Sequence, residues 1–292
     1  MTRKEQAAVL AWLRRSRVVW PTVTERLEEY GNVQQAIAAD APAQGSLFDE
    51  ASADDTARAT RDLEQWEQSG IRMVSVLDAV YPANLRMVHQ HPPVLFLRGA
   101  ADDRDATSIA IVGTRQPTAR GLGQARQLAT GLAARGVPVV SGLAAGIDTA
   151  AHTAALAAGA RTVAVIGTGI DKAYPPPNAA LQENIAARGL LISQFLPGSP
   201  PTKASFPMRN AVMSGYTLAT VVVEAAAGSG SRMQARLVLE QGRHVFLMHT
   251  LLEHDWARDY AQRPGVTVVD TADDVFAELQ RLALEPAELT WA

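Results

Sequence analysis

The chain has 292 residues, 47% apolar and 20% charged, enough to bury one large core or a main domain with a small appendage. A formal net charge of −3 excludes a molecule that attracts polyanions over its whole surface, so any polyanion site must be a local basic patch. Cysteine is absent, which excludes disulfides and thiolate metal sites, and no apolar run is long enough to span a bilayer.

The N-terminus, MTRKEQ, is too charged for a secretory signal, so a cytoplasmic location is expected. Residues 1 to about 38 carry apolar positions at helical spacing in EQAAVLAWLRRS and VTERLEEYGNVQQAIA, with Gly31 placed to separate two helices. The small, polar and acidic stretch over 41–60 reads as a linker or mobile loop. RATRDLEQWEQSG predicts a helix stopped by Gly70, and IRMVSVLD alternates like a strand. A proline-punctuated stretch then leads to a strand at VLFLRG.

From Ser108 the pattern becomes strand, turn, helix, repeated. SIAIVG, VPVVSG, TVAVIG, LLISQF, LATVVVEA, HVFLM and VTVVD are the strands, with helical segments such as GLGQARQLATGLAARG and DTAAHTAALAAG between them. Continuous apolar strands alternating with helices are buried on both faces, which predicts a doubly wound parallel α/β sheet with right-handed crossovers.

Ligands of such sheets sit beyond the carboxyl ends of the strands. Four glycine- or serine-bearing turns fall there: Gly113-Thr114-Arg115, Ser141-Gly142 through Gly146-Ile147-Asp148, Gly167-Thr168-Gly169, and Gly228-Ser229-Gly230-Ser231 after Glu224. Glycine admits close backbone approach and helix N-termini present unpaired N–H groups, so the edge reads as a phosphate or nucleotide site. Each turn alone is equally an ordinary tight connection. GLGQAR is only part of a dinucleotide fingerprint, and no acidic residue ends the second parallel strand to hold a ribose, which argues against NAD.

The segment PPTKASFPMRNAVMSG reads as a long loop leading into a helix that opens near Arg209-Asn210, bringing Lys203 and Arg209 to the same edge as Arg115. Phe206 either stacks on a base or anchors the loop in the core, and Lys203 either holds a phosphate or is simply solvated. His152 reads as a packing or capping residue rather than a catalyst. Asp148 either caps its helix or orients a basic neighbour, and Glu224 either acts as an acid or base or belongs to a polar network. His249 and His254 read as surface loop, and no metal or cofactor is expected.

Together these stretches resemble the DprA/Smf family of bacterial DNA-processing proteins. IAIVGTRQPTARG, VVSGLAAGIDTAAHTAAL, TVAVIGTGIDKAYPPPN, GLLISQFLPGSPPTKASFPMRN, VVVEAAAGSGS and EQGRHVF follow in the family's order. The resemblance implies a small N-terminal SAM-like helical domain over 1–40, the acidic linker over 41–60, an extended Rossmann-like DNA-binding domain over 61–282 and a tail over 283–292. It implies a non-enzymatic, cytoplasmic homodimer that protects single-stranded DNA and assists RecA loading. The DNA and phosphate contacts it implies are Gly113, Thr114, Arg115, Ser141, Gly142, Gly146, Asp148, Gly167, Gly169, Lys203, Phe206, Arg209 and Asn210. The chain departs from the family pattern at Gln194, where glutamate is usual, at Arg232 and Met233, and after Phe246. It also reads as a short form without the winged-helix domain that many members carry. Two rival readings stay open: a nucleotide sensor or N-glycosidase-like enzyme using Glu224 or Asp148, and a phage-defence or regulatory interaction module.

Overall fold

A computed structural model describes residues 1–15, 18–40, 53–226 and 229–284. The chain begins with three helices, α1 (Arg3–Leu13), α2 (Trp20–Tyr30) and α3 (Val33–Asp40). Thr2 and Glu5 cap α1 reciprocally, and Gly31 ends α2 in a left-handed conformation, the residue type that adopts it without a Cβ penalty. The indole Nε1 of buried Trp12 donates to Asp40 at 2.8 Å, closing the bundle.

Helix α4 (Ala53–Gln68) corrects the expected linker. Residues 41–52 lie outside those described, but from Ala53 onward the chain is already helical. Asp54 and Asp55, which made the stretch look like an acidic connector, occupy the first helical turn, where negative charge faces unpaired N–H groups. Helix α4 packs on α1 and on the first strand, and Gln6 donates to the Met73 carbonyl at 3.2 Å, so the N-terminal helices are tied to the sheet.

All nine expected strands form: β1 (Ile71–Ser75), β2 (Val94–Gly99), β3 (Ile109–Val112), β4 (Val139–Ser141), β5 (Thr162–Val165), β6 (Leu190–Ser193), β7 (Ala219–Val222), β8 (His244–Met248) and β9 (Val266–Val269). They make one sheet in the order β1-β2-β6-β5-β4-β3-β7-β8-β9. β3 to β9 run parallel, while β2 pairs antiparallel with both β1 and β6. The architecture is the extended Rossmann-like, mostly parallel α/β fold with N-terminal helices. Every residue of β3, β5, β6 and β7 is buried, as continuous apolar runs require of strands covered on both faces.

A short helix α5 (Ala83–Arg86) lies between β1 and β2. Helices α6 (Ala119–Ala134), α7 (Ile147–Ala157) and α8 (Ala179–Arg188) pack side by side, while α9 (Ser205–Tyr216) and α10 (Gly230–Glu240) pack on each other. Right-handed crossovers put these two groups on opposite faces. Helices α11 (Asp255–Ala261) and α12 (Ala272–Leu284) complete the described chain, and α12 returns to α6. The winding reverses between β3 and β7, so a crevice opens beyond their carboxyl ends.

Helix α9 opens at Ser205, not near Arg209 as the sequence suggests. Thr202 and Ser205 exchange side-chain hydrogen bonds with each other's N–H groups, starting the helix early. Pro207 stands in the first turn, where no N–H is needed. No described helix is long and apolar enough to cross a membrane.

Candidate functional site

A cleft of about 480 Å³ occupies this crevice. The turn after β3 supplies Gly113, Thr114 and Arg115; α7 supplies Asp148; α9 and its lead-in supply Lys203, Phe206, Arg209 and Asn210; and the start of α10 supplies Ser229, Gly230 and Ser231. Gly142, Gly167 and Tyr174 line a smaller recess of about 70 Å³ that shares Arg115, Phe206 and Arg209 with the main cleft. Gly228 lies outside the described residues.

Several of the expected contact residues have structural partners. The Ser141 hydroxyl is buried and donates to the Ile111 carbonyl at 2.6 Å, joining β4 to β3. Gly169 donates to Ser199 at 2.9 Å and braces the loop after β6. The space above the glycines is filled by protein. A Cβ at Gly142 would fall 1.4 Å from Nη1 of Arg209, so only glycine leaves room for that guanidinium. Gly146 has φ +84°, and a Cβ there would fall 2.4 Å from the Thr114 carbonyl. Gly113 abuts Ile147 and Gly167 abuts Phe206 in the same manner. The glycines let the turns interlock with each other and with α9, and the side chains of Arg209 and Phe206 that Gly142 and Gly167 admit line the cleft.

That surface has two layers. Beneath lies Arg209, only 5% exposed, its Nη1 donating to the Val165 carbonyl at 3.1 Å and its buried Nε without a partner. Asp148, also buried, accepts from the Gly142 and Ala144 N–H groups at 3.1 and 3.3 Å and closes that turn. Burial pushes the Asp148 carboxyl above its ordinary value, opposed chiefly by the nearby positive Arg209. Burial likewise lowers Arg209, opposed by Asp148 and assisted by repulsion from Arg115. Asp148 thus both closes the turn and faces a buried cation.

Above lies an exposed layer. The Arg115 guanidinium sits 5.0 Å over the centroid of the half-buried Phe206 ring. Tyr174, 38% exposed, stands 5.6 Å from Phe206 with the rings inclined at 39°. Phe206 is therefore neither a core anchor nor a bare stacking face, because a guanidinium already lies on it. Lys203 is exposed and lines the main cleft with Arg115 and Phe206. Tyr174 escaped the sequence reading; its one signal is an aromatic residue in the loop that follows a parallel strand, ahead of PPP.

His152 is fully buried on α7, away from the cleft. Its Nδ1 lies 2.7 Å from the Thr162 hydroxyl, which itself donates to the Val139 carbonyl, so Nδ1 carries the proton. Burial lowers its pKa to about 3, leaving a neutral packing residue. Among the described residues no group of three His, Cys, Asp or Glu side chains is placed to hold a metal.

The family model described as DNA recombination-mediator protein A matches residues 72–280. DNA processing protein DprA of Streptococcus pneumoniae is 38% identical over 209 residues, which cover 70% of this chain and 73% of that protein. The Bacillus subtilis DprA is 36% identical over 225 residues, 75% of either chain. The match to Protein Smf of Synechocystis, 40% identical over 188 residues, spans about half of that protein's length, 47%. The X-ray structure of the Streptococcus pneumoniae DprA superposes with a TM-score of 0.77 at 32% identity, over 95% of this chain and 98% of that one. A Helicobacter pylori DprA structure, described by its single-stranded DNA binding mode, superposes with a TM-score of 0.64 at 26% identity over 72% of this chain and 96% of that one. With its motifs in order, its sheet topology matched and more than half its length covered by the family model, the chain belongs to the DNA recombination-mediator protein A family.

Proposed function

We propose that the chain binds single-stranded DNA across this cleft, protects it, and as a homodimer passes it to a recombinase of the RecA type. The observation that carries the binding reading is the outer layer. Among the described residues Arg115 and Lys203 form no salt bridge, whereas Arg98, Arg104, Arg120, Arg135 and Arg161 each pair with a carboxylate. Two cations without carboxylate partners in the cleft that holds Phe206, with Tyr174 next to that ring, suit a ligand that offers phosphates and flat bases together. The likeness to the Helicobacter pylori protein supports the same ligand.

The reading is of a binder and not an enzyme. The acid lining the cleft, Asp148, has its carboxylate engaged by two backbone N–H groups under a buried arginine. Base flipping onto Phe206 requires Arg115 to leave the ring, and a guanidinium so released is free for a phosphate; alternatively a base stacks on the guanidinium plane itself.

The test is binding of a labelled single-stranded oligonucleotide against duplex of equal length. Tight binding to the single strand, weakened about tenfold by Arg115→Ala through loss of one charge-assisted contact, is the expected result. Equal, weak binding to both forms sinks the reading.

A further inference from the structure

In a doubly wound sheet the N-terminus of the helix after the first parallel strand is where a nucleotide's phosphate is usually held, because its N–H groups point outward and its dipole favours negative charge. Here that helix is α6, and a carboxylate already sits on it. The Thr118 N–H at the helix cap lies 3.1 Å from both Oε1 and Oε2 of Glu224, and the Thr118 hydroxyl donates to Oε2 at 3.0 Å. The same hydroxyl accepts from the Gly121 N–H at 3.1 Å. Gly121 makes the space: a Cβ there would fall 1.8 Å from Oε2.

Glu224 also holds the other end of this turn. Its backbone carbonyl accepts from the Thr114 N–H at 2.7 Å. One residue, placed just past β7, therefore clamps residues 114 and 118 and fixes the arch that presents Arg115.

We propose that Glu224 is a resident anion that closes the phosphate seat at the start of α6, so that free nucleotides and terminal phosphates are excluded and a ligand's phosphates are directed to the outer cations Arg115 and Lys203. Glu224 is thus a specificity-determining residue, favouring a polymer that spans the cleft over a mononucleotide that needs one deep phosphate pocket. It is a positioning residue for Arg115 as well. Its carboxylate is committed to the helix cap, which removes it from the acid–base role that a nucleotide-cleaving enzyme would require. The exclusion of free phosphate stands on the geometry alone, while the gain for a polymer rests on the proposed function.

The test uses the full chain and two probes, inorganic pyrophosphate and a labelled single-stranded oligonucleotide. The wild-type melting temperature is expected to be insensitive to millimolar pyrophosphate. In Glu224→Ala, pyrophosphate raises the melting temperature and moves the amide resonances of Thr118 to Gly121. In the same variant oligonucleotide affinity falls about tenfold as the arch loses a charge-assisted anchor. A gain for one probe and a loss for the other cannot both come from a loosened fold. Glu224→Gln keeps the shape without the charge and shows the same two signs, more weakly; it decides the matter if the alanine variant does not fold. The proposal is overturned if pyrophosphate leaves the folded variants unmoved, or if the wild type already binds it with shifts at Thr118 and Gly121. If not even the wild type binds the oligonucleotide, the proposed function falls while the pyrophosphate arm still decides the role of Glu224.

Discussion

At the scale of single residues, burial separates groups that look alike in sequence. Arg115 and Arg209 are both arginines at strand-end loops, yet one is exposed on an aromatic ring and the other lies under the turns. Their convergence was legible from the strand-end rule, because both follow parallel strands at the carboxyl edge. Their layering was not, since it depends on the space left by Gly142, two loops away in sequence. His152 illustrates a titratable group removed from chemistry by its surroundings. Its folded pKa, lowered to about 3, lies below the ordinary value of 6.5, so the unfolded chain binds more protons between those limits. Stability is therefore retained above pH 6.5 and declines as acid is added, by about 1.4 kcal/mol per pH unit at most from this group. Denaturation midpoints measured from pH 7 down to pH 4 should show this slope, and His152→Gln, which cannot gain the proton, should flatten it. An unchanged acid slope in that variant would mean that the imidazole titrates normally.

At the scale of elements, the strands were readable because apolar runs bounded by glycine have few other interpretations, and all nine form. The starts of α4 and α9 were not. Asp54 and Asp55 read as linker acids, and the residues before Arg209 as loop, because composition alone does not distinguish an irregular polar stretch from a first helical turn. Both misreadings have one cause: the first turn of a helix tolerates residues that its interior rejects. The glycines suggest room for a ligand, and at Gly113, Gly142 and Gly167 the structure packs the side chains of Ile147, Arg209 and Phe206 against them, residues from elements distant in the chain. Gly142→Ala tests this interlock. The new methyl collides with the Arg209 guanidinium and displaces a buried charge, at a cost of about 3 kcal/mol or more in chemical denaturation. In an Arg209→Met background the collision is relieved, and the same substitution should cost about 1 kcal/mol. Equal costs in both backgrounds would show that the two positions are not coupled.

At the scale of the whole molecule, a net charge of −3 restricts polyanion binding to a local patch, and the cleft offers its exposed cations that form no salt bridge among the described residues. Two such cations, Arg115 and Lys203, predict a shallow salt dependence, with a slope of log affinity on log salt near −1.4, taking about −0.7 per phosphate on a single strand. Lys203→Ala should reduce that slope by about 0.7 and weaken binding similarly for all sequences, because it touches only the backbone. A slope several times steeper would require cations beyond this cleft. The N-terminal helices belong to the same assembly through α4 against β1 and Gln6 against Met73, a connection invisible in the sequence because no periodicity reports which faces meet.

The cleft draws its walls from five stretches of chain, around residues 113–115, 142–148, 167–174, 203–210 and 229–234, carried by β3, β4, β5, α9 and α10. No fragment shorter than about two fifths of the protein contains them all. An occupied cleft is therefore a tether on the entire sheet: the unfolded chain has nothing to offer the ligand, so each occupied protein molecule is withdrawn from the unfolding equilibrium. At a ligand concentration a hundred times the dissociation constant that tether is worth about 2.7 kcal/mol, spread across elements that never touch the ligand. Hydrogen exchange at β5 or under α10 would register the ligand as clearly as the surface that holds it.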